Sequence, residues 1–195
     1  MAVHSWRLLT EQEYLQQERQ SQTKSEYLSG QIFALAGASR THNRITFNIG
    51  GLLYNALRGR PCEAYMNDMR VRVAEVNAYF YPDVVVVRSQ PQFLDEQQDT
   101  LLNPTLVVEV LSPSTESFDR GEKSFHYRRI PSLKEYLLVA QDRVHIERYV
   151  RQPDGQWVLT DYTQSDRAVP LESLGVELPI AQVYEGIEVV TSSSA

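Results

Sequence analysis

The stretch LVVEVLSPST, residues 106–115, is an unbroken apolar run that carries one acid inside it and stops at a proline. In a β-strand successive side chains point to opposite faces, so Glu109 shares one face with Val107 and Leu111. The valines on either side of it point to the other face, and apolar residues on both faces are typical of a covered central strand. The run therefore predicts a buried strand with Glu109 among apolar neighbours.

A second apolar run, YFYPDVVVV at residues 79–87, also carries one acid, and we interpret it as another central strand. Asp83 stands directly before four valines, although an exposed strand edge after Pro82 is an alternative position for it. A buried carboxylate must be paired, protonated or bound to a cation. Asp83 and Glu109 on neighbouring strands therefore predict a divalent-metal site, or a carboxylate pair for acid–base chemistry.

The rest of the chain alternates between helical and strand periods, which predicts an α+β fold with a mixed sheet. The capping-box spacing of Thr10 and Glu13 begins a helix, Ser29-Gly30 turns a hairpin, and Ser39 or Thr41 caps a long helix. We expect one domain over residues 1–190 and a frayed tail over residues 191–195. The predicted elements are a helix over 10–19, a hairpin over 24–37, a helix over 39–59, a strand over 69–73, a loop over 88–103, a helix over 113–129, a meander over 133–164 and an amphipathic segment over 179–187.

The amino-acid composition excludes several classes of protein and of site. The 195 residues include 19 Lys plus Arg against 25 Asp plus Glu, a net charge of −6 that excludes a nucleic-acid binder relying on bulk positive charge. A single cysteine, Cys62, excludes an internal disulfide and a cysteine-based zinc cluster. The N-terminal residues turn polar by residue 10, and no apolar run approaches the roughly 20 residues of a membrane span. We therefore expect a cytoplasmic protein with no membrane partner.

Three further residues are candidates with ordinary alternatives. Glu26 could add a third carboxylate, although hairpin strands often expose acids. His42 falls in the first turn of the long helix, where an imidazole can simply take part in end-capping. Lys123 follows Asp119 by four residues, which is also the spacing of a solvent-facing ion pair. No phosphate loop, dinucleotide fingerprint, His-Glu-x-x-His motif or nucleophile elbow is present.

The order of these motifs resembles the Uma2 family of proteins classed as restriction endonucleases, within the PD-(D/E)XK nuclease superfamily. The resemblance covers about residues 10–190, and VVEVLSPST with its downstream Asp and Lys is its most specific part. The motifs in chain order are Glu26-Tyr27 with Gly30 and Ile32, His42 opening a helix, Pro82-Asp83 before valines, VVEVLSPST, Asp119 with Lys123 and Tyr127, and EYLLV.

The resemblance implies a restriction-endonuclease-like core, a mixed sheet flanked by helices, with a Mg²⁺-binding cleft that also accepts Mn²⁺. Asp83 corresponds to the superfamily's metal-binding Asp, Glu109 to the Glu of its acidic-x-Lys element, and Glu26 to an early acid position. Asp83, Glu109 and the Val110 carbonyl would hold the metal, which activates water and polarises a phosphate.

This chain departs from the superfamily pattern at the lysine. The superfamily lysine lies two residues after the Glu, where this sequence has Leu111, so Lys123 on the following helix is the candidate replacement. His42 is a family feature with no assigned role.

The leading hypothesis is a Mg²⁺-dependent deoxyribonuclease that acts on DNA as a homodimer, because restriction-type nucleases often pair to address two strands. The first alternative is a catalytically weak or inactive nuclease-fold module that binds nucleic acid or protein, which the missing Glu-x-Lys lysine favours. A second alternative is a carboxylate pair acting as in glycosidases, which needs an aromatic pocket from Tyr79, Phe80 and Tyr81.

Overall fold

The computed structural model describes residues 8–188, so the tail expected at residues 191–195 lies outside the described residues. Among residues 8–188, no helix combines the length and the apolar character that a membrane crossing requires. The helices are α1 (Glu11–Glu18), α2 (Arg40–Leu57), α3 (Glu116–Phe118), α4 (Ser124–Tyr127) and α5 (Ile180–Val183), with a 3-10 turn at Ala74–Val76 and a π-helical turn at Asp119–Lys123. The strands are β1 (Ser25–Leu28), β2 (Gln31–Ala34), β3 (Cys62–Met66), β4 (Arg70–Val73), β5 (Ala78–Phe80), β6 (Val84–Arg88), β7 (Thr100–Leu101), β8 (Leu106–Leu111), β9 (Glu135–Ala140), β10 (His145–Arg151), β11 (Trp157–Thr163), β12 (Ala168–Leu171) and β13 (Val176–Pro179).

Two larger sheets and one hairpin form an α+β architecture, as the sequence predicts. One sheet has the order β11-β10-β9-β8-β6-β3, the other has the order β2-β1-β5-β4-β7, and β12 pairs with β13. The six-stranded sheet is mixed, because β8 runs parallel to β9 and antiparallel to β6. Helices α2 and α5 cover one of its faces, and the five-stranded sheet with the segment that follows α4 covers the other.

Strand β8 lies inside the six-stranded sheet and is buried on both faces, which confirms the prediction from its apolar run. Val108 and Val110 pack into the cluster under α2, while Val107 and Leu111 pack into the opposite cluster. Glu109 lies on the second face and is 4% exposed. The central acid is therefore buried, as its neighbours indicate.

The prediction of one strand over residues 79–87 is wrong. The run divides into β5, which pairs with β1 and β4, and β6, which pairs with β3 and β8 in the other sheet. Pro82 lies between the two strands, where it has no N–H to continue a ladder. An apolar pattern cannot reveal this division, because residues on both sides of it are buried. The division leaves Asp83 where the chain crosses from one sheet to the other.

Two further predictions need correction: β7 lies inside the loop predicted over 88–103, and the helix predicted over 113–129 is α3 and α4 joined by a π-helical turn. The helix caps agree with the structure. The Thr10 side chain and the Glu13 carboxylate form both hydrogen bonds of the capping box at α1. Ser39 rather than Thr41 caps α2, and its Oγ accepts a hydrogen bond from the backbone N–H of His42. Strand β3 and the β12–β13 hairpin were not predicted, because β3 mixes exposed and half-buried residues without alternation and the hairpin strands are short.

Candidate active site

A cleft of about 440 Å³ opens beside the point where the chain crosses between the two larger sheets. Each side chain that the sequence analysis selected lines this cleft, although they come from five separate parts of the chain. They are Glu26 on β1, His42 on α2, Asp83 before β6, Glu109 on β8 and Lys123 in the π-helical turn, and Asp119 and the backbone of Val110 lie beside them.

Lys123 is buried and forms the centre of an ion-pair network. Its Nζ lies 2.8 Å from Glu26 Oε1, 2.9 Å from Glu109 Oε1 and 3.6 Å from Asp119 Oδ1. Burial alone would lower the pKa of Lys123, but the carboxylates of Glu109 and Glu26 outweigh it and raise this pKa well above its usual 10.5. Lys123 therefore stays charged, and the alternative of a solvent-facing pair with Asp119 is wrong.

The π-helical turn at Asp119–Lys123 explains how two residues of one helix reach the same buried site. A π turn is rare, and it occurs mostly as a single turn at functional sites. Asp119 and Lys123 are 3% and 4% exposed, and the turn lies between the short helices α3 and α4. The same stretch carries Tyr127, whose hydroxyl donates to Glu109 Oε1 at 3.1 Å.

Leu111 stands two residues after Glu109, where the PD-(D/E)XK pattern that the sequence resembles has a lysine. It lies on the same face of β8 as Glu109, is 3% exposed and packs into an apolar cluster. An ammonium at this position would have to replace a packed side chain. In this fold the ammonium beside Glu109 comes instead from Lys123.

Glu109 is buried among the charged groups of the cleft. Burial raises the pKa of Glu109 well above its usual 4.5, the charge of Lys123 opposes this effect, and the carboxylates of Asp119 and Asp83 add to it. Burial likewise raises the pKa of Asp119 above its usual 3.8. Burial is the main reason that both carboxyls favour the protonated form, and the charge of Lys123 opposes it only in part.

Asp83 is held by groups from two different elements. Its Oδ2 accepts a hydrogen bond of 2.7 Å from the Val110 backbone N–H, and the Nε2 of His42 lies 3.3 Å from the same oxygen. The antiparallel register that pairs Val84 with Val108 brings the residue before β6 beside the C-terminal half of β8. Asp83 and Glu109 consequently face the same cleft from neighbouring strands.

His42 does more than cap a helix. Burial alone would lower the pKa of His42, but the hydrogen bond and charge of Asp83, with a backbone hydrogen bond to Val110, outweigh it and raise this pKa above 6.5. The Nδ1 atom of His42 is buried and has no hydrogen-bond partner among the described residues. The imidazole therefore contacts Asp83 through Nε2, while Nδ1 stays buried without a partner among the described residues.

Glu26 is buried, unlike the exposed acids common in hairpin strands. It is 3% exposed, and its Oε1 accepts a hydrogen bond of 3.0 Å from the Tyr81 backbone N–H as well as the contact from Lys123. Tyr81 lies at the crossing between the sheets, so Glu26 links the five-stranded sheet to the buried ammonium.

The residues of the cleft fit a hard divalent cation. Three of its carboxylates, from Glu26, Glu109 and Asp119, surround the buried ammonium of Lys123, and a fourth, from Asp83, lies beside His42. Lys24 and Asp68 also line the cleft and pair with each other. Oxygen donors of this kind suit Mg²⁺ and Mn²⁺, and a bound cation would favour the ionised form of carboxyls that burial otherwise keeps protonated.

A second group that could hold a metal lies outside the cleft, and the sequence analysis did not select it. His145, Glu147 and Asp161 on β10 and β11 have ligand atoms within 4.8 Å of one another. His145 Nε2 is already 2.9 Å from Asp161 Oδ1, and Glu147 forms an ion pair with Arg120. Arg120 thus already supplies a positive charge beside Glu147, and Asp161 already has His145 as a partner.

Asp119, which lines the cleft, and Tyr127, which is buried beside Glu109, received no role in the sequence analysis, although both stand in the motifs that it quotes. Asp119, Lys123 and Tyr127 follow one another at intervals of four residues. That spacing places side chains along one side of a helix, and it is the signal that could have assigned them to the site.

Comparisons with known proteins agree with this architecture. A family model, Uma2, described as "Putative restriction endonuclease", matches residues 11–181. Two uncharacterized proteins of Synechocystis sp. are similar to the chain: sll1609 is 45% identical over 83% of this chain and 91% of its own length, and slr1290 is 38% identical over 92% and 93%. A crystal structure from Anabaena variabilis, described as "a putative nuclease belonging to DUF820", superposes with a TM-score of 0.75 at 18% identity over 90% of this chain and 97% of the other.

Proposed function

Because the chain belongs to the Uma2 family, we propose that it is a metal-dependent endonuclease of the PD-(D/E)XK type that hydrolyses DNA phosphodiester bonds. The observation that carries the proposal is that Asp83, directly before β6, and Glu109 on the neighbouring strand β8 line one cleft beside the buried ammonium of Lys123. Two acids and an ammonium in one cleft are the groups that phosphodiester hydrolysis requires, because it needs an activated water and neutralisation of phosphate charge.

Mg²⁺ is the cation we propose, with Mn²⁺ as a substitute, held by Asp83, Glu109 and the Val110 carbonyl. When bound, the metal lowers the pKa of a water molecule and polarises the phosphate. The protein's own contribution is to hold the acids in place: the Val110 N–H and the His42 imidazole fix one oxygen of Asp83. We therefore assign His42 as a positioning residue for Asp83.

Lys123 supplies a fixed positive charge. Its raised pKa keeps the proton on Nζ at neutral pH, so the ammonium can contact a phosphate oxygen or orient the attacking water. Glu26 accepts from this ammonium at 2.8 Å and is itself held by the Tyr81 N–H. Glu26 thus positions Lys123 in the cleft, and Tyr127 does the same for Glu109.

The carboxylate-pair hydrolase of the glycosidase type has less support. Its aromatic pocket would come from Tyr79, Phe80 and Tyr81. Tyr79 is 1% exposed and Phe80 is fully buried, so both rings belong to the core and only Tyr81 lines the cleft.

The test is cleavage of supercoiled plasmid and of single-stranded DNA with Mg²⁺, Mn²⁺ or EDTA. The wild type is compared with Glu109→Gln and with Glu122→Gln, a matched control whose side chain is 58% exposed and does not line the cleft. We expect metal-dependent nicking that is lost in Glu109→Gln and kept in Glu122→Gln. Absence of cleavage at high protein concentration with Mn²⁺ would favour the alternative of a nuclease-fold module that binds nucleic acid or protein without cutting.

A further inference from the structure

One face of α2 is exposed along its whole length and carries an unusual set of side chains. Phe47 and Tyr54 are 65% and 69% exposed, the highest values among the large apolar side chains of residues 8–188. Residues spaced by three and four positions share a face of a helix, and here they form what we term the outer stripe. The outer stripe of α2 consists of Arg40, Arg44, Phe47, Gly51, Tyr54 and, just beyond the helix, Arg58.

The charge of the outer stripe is positive and uncompensated. Helix α2 contains no acidic residue, although the whole chain has a net charge of −6. Within the described part of the chain, no ion pair involves Arg40, Arg44 or Arg58, whereas Arg19 and Arg70 both pair with carboxylates. A ligand for this face is therefore an anion, and one that also offers surface for two aromatic rings.

Gly51 gives an independent indication of a ligand. Glycine inside a helix is destabilising relative to alanine, so it usually has a packing reason. Its neighbour Gly50 has one, because a Cβ there would collide with the sulfur of Met66. A Cβ at Gly51 would meet nothing within 4 Å. Gly51 thus leaves bare backbone between Phe47 and Tyr54, where a flat group can lie directly against the helix.

A pocket of about 340 Å³ continues the outer stripe at its C-terminal end. It lies between α2 and the edge strand β3, and Tyr54, Arg58, Cys62 and Met66 are among its lining residues. A ring and a guanidinium over an apolar floor suit a planar anionic ligand. Its volume lies within the range of sites for small organic groups.

We propose that the outer stripe of α2 binds single-stranded nucleic acid, with phosphates on the arginines and bases stacked on Phe47 and Tyr54. Such stacking platforms with basic neighbours are the common means of holding single strands, and bases inside a duplex are not free to stack on a side chain. The two rings are seven residues apart, or roughly 10 Å along a helix axis. The inference rests on the proposed function, because His42 and Asn43 in the first turn of α2 line the cleft, so a strand on the stripe leads to it.

A second copy of the chain fits the outer stripe less well. Two-fold pairing of two outer stripes would bring Arg40 and Arg44 of one copy towards Arg58 of the other, with no acid in α2 to compensate. Like charges placed together at an interface oppose association. The polyanion is therefore the occupant that the charges favour.

Fluorescence anisotropy of labelled oligo-dT and oligo-rU in EDTA tests the proposal without any cleavage, and the two oligonucleotides separate DNA from RNA as the source of the strand. We expect Phe47→Ala and Tyr54→Ala each to weaken binding about 10-fold, the size of one lost base stack. Arg40→Gln with Arg44→Gln is expected to reduce the slope of log affinity against log salt by about 1.4. The control, Arg143→Gln with Arg167→Gln, removes the same charge from exposed positions elsewhere and is expected to change affinity less than about 2-fold.

Gly51→Ala separates a binding role from a structural one. We expect its Tm to rise by about 2–4 °C, because alanine favours the helix, while oligonucleotide affinity falls. Unchanged affinity in both Gly51→Ala and the Phe47→Ala/Tyr54→Ala double variant would overturn the proposal. Dissociation of a dimer in that double variant, with affinity unchanged, would assign the stripe to a second copy instead.

The outcomes also distinguish this inference from the proposed nuclease. Suppose that the wild type and the outer-stripe variants all cleave plasmid, and that these variants bind oligonucleotide as tightly as the wild type does. That result would overturn the proposal for the outer stripe and leave the nuclease proposal standing. Stripe-dependent binding by a protein that cuts no DNA with Mg²⁺ or Mn²⁺ would support the outer stripe and overturn the nuclease alone.

Discussion

The ammonium of Lys123 lies 2.9 Å from Glu109 Oε1, although one residue belongs to a helical turn and the other to a central strand. The superfamily pattern obtains this neighbour from the residue two positions after the acid, on the same strand. Here the strand keeps Leu111 in the core and a following turn delivers the charge. The folded chain thus brings an ammonium to Glu109 from a distant part of the sequence, and a motif defined by spacing does not detect such a neighbour.

Removing the charge of Glu109 is expected to preserve or increase stability. The raised pKa of Glu109 means that the folded state favours its protonated form, so this contribution to stability is present below the usual value of about 4.5 and is lost as pH rises through the folded pKa. The Glu109→Gln variant avoids that loss. Its Tm relative to wild type should therefore be higher at about pH 8 than at about pH 5.

Thermal unfolding with and without Mg²⁺ checks this prediction, with Glu122→Gln as the control. Mg²⁺ should raise the Tm of the wild type and of Glu122→Gln, but not that of Glu109→Gln. Asp83→Asn should also lose the Mg²⁺ effect. A large fall in Tm for both acid variants would mean that the acids serve the fold and not a cation.

The Lys123→Ala variant should lose both turnover and stability. It leaves Glu26 and Glu109 buried without their ammonium, and breaking a buried pair in this way costs about 3–5 kcal/mol. Turnover should fall far more than Mg²⁺ affinity, because the carboxylates that bind the metal remain. Urea unfolding, cleavage rates and a metal titration measure the three quantities.

Lys134→Ala is the matched control for that variant, since Lys134 is exposed and its side chain lies outside the cleft. Its unfolding free energy should change by no more than about 0.5 kcal/mol. Wild-type turnover in Lys123→Ala would reject the role proposed for the buried ammonium.

Stability should depend on pH through His42. Its folded pKa is raised above 6.5, so the stability it contributes is complete below about pH 6.5 and is lost as pH rises through the folded pKa. The free energy of unfolding of the wild type should therefore exceed that of His42→Asn by more at about pH 5.5 than at about pH 8.5. In an Asp83→Asn background this difference should shrink, because the partner charge is gone; a difference that persists there would contradict the pairing.

We also expect a homodimer, because a duplex has two strands to cut. A single chain has a mass of 22.4 kDa, so light scattering should give about twice that value. The number of chains in the assembly should stay at two when Mg²⁺ or DNA is added. A monomeric mass at micromolar concentration would contradict the expectation.

Local features of the fold were predictable from the sequence. The capping box at Thr10 and Glu13, the Ser29-Gly30 turn and the amphipathic period of α2 each depend on residues a few positions apart. The burial of β8 was predictable too, because its apolar residues lie on both faces of the strand, whereas a half-exposed strand has apolar residues on one face only. An acid is unexpected among these apolar residues, and this made Glu109 a candidate site residue.

Long-range features were not predictable in the same way. The apolar pattern of residues 79–87 is the same for one strand and for two strands in different sheets, because both are covered on both faces. The burial of Lys123 depends on Glu26 and Glu109, which approach it only in the folded chain. The resemblance of the motifs, and not their spacing, made Lys123 the replacement for the missing lysine.

The crossing at Pro82 divides the residues of the cleft between the two sheets. Glu26 belongs to one sheet, Glu109 to the other and Lys123 to a turn that packs against both, so the cleft exists only when all three have docked. A chain with either sheet formed alone lacks the complete set of groups. The complete set of charged groups is therefore a property of the two docked sheets together and of neither sheet by itself.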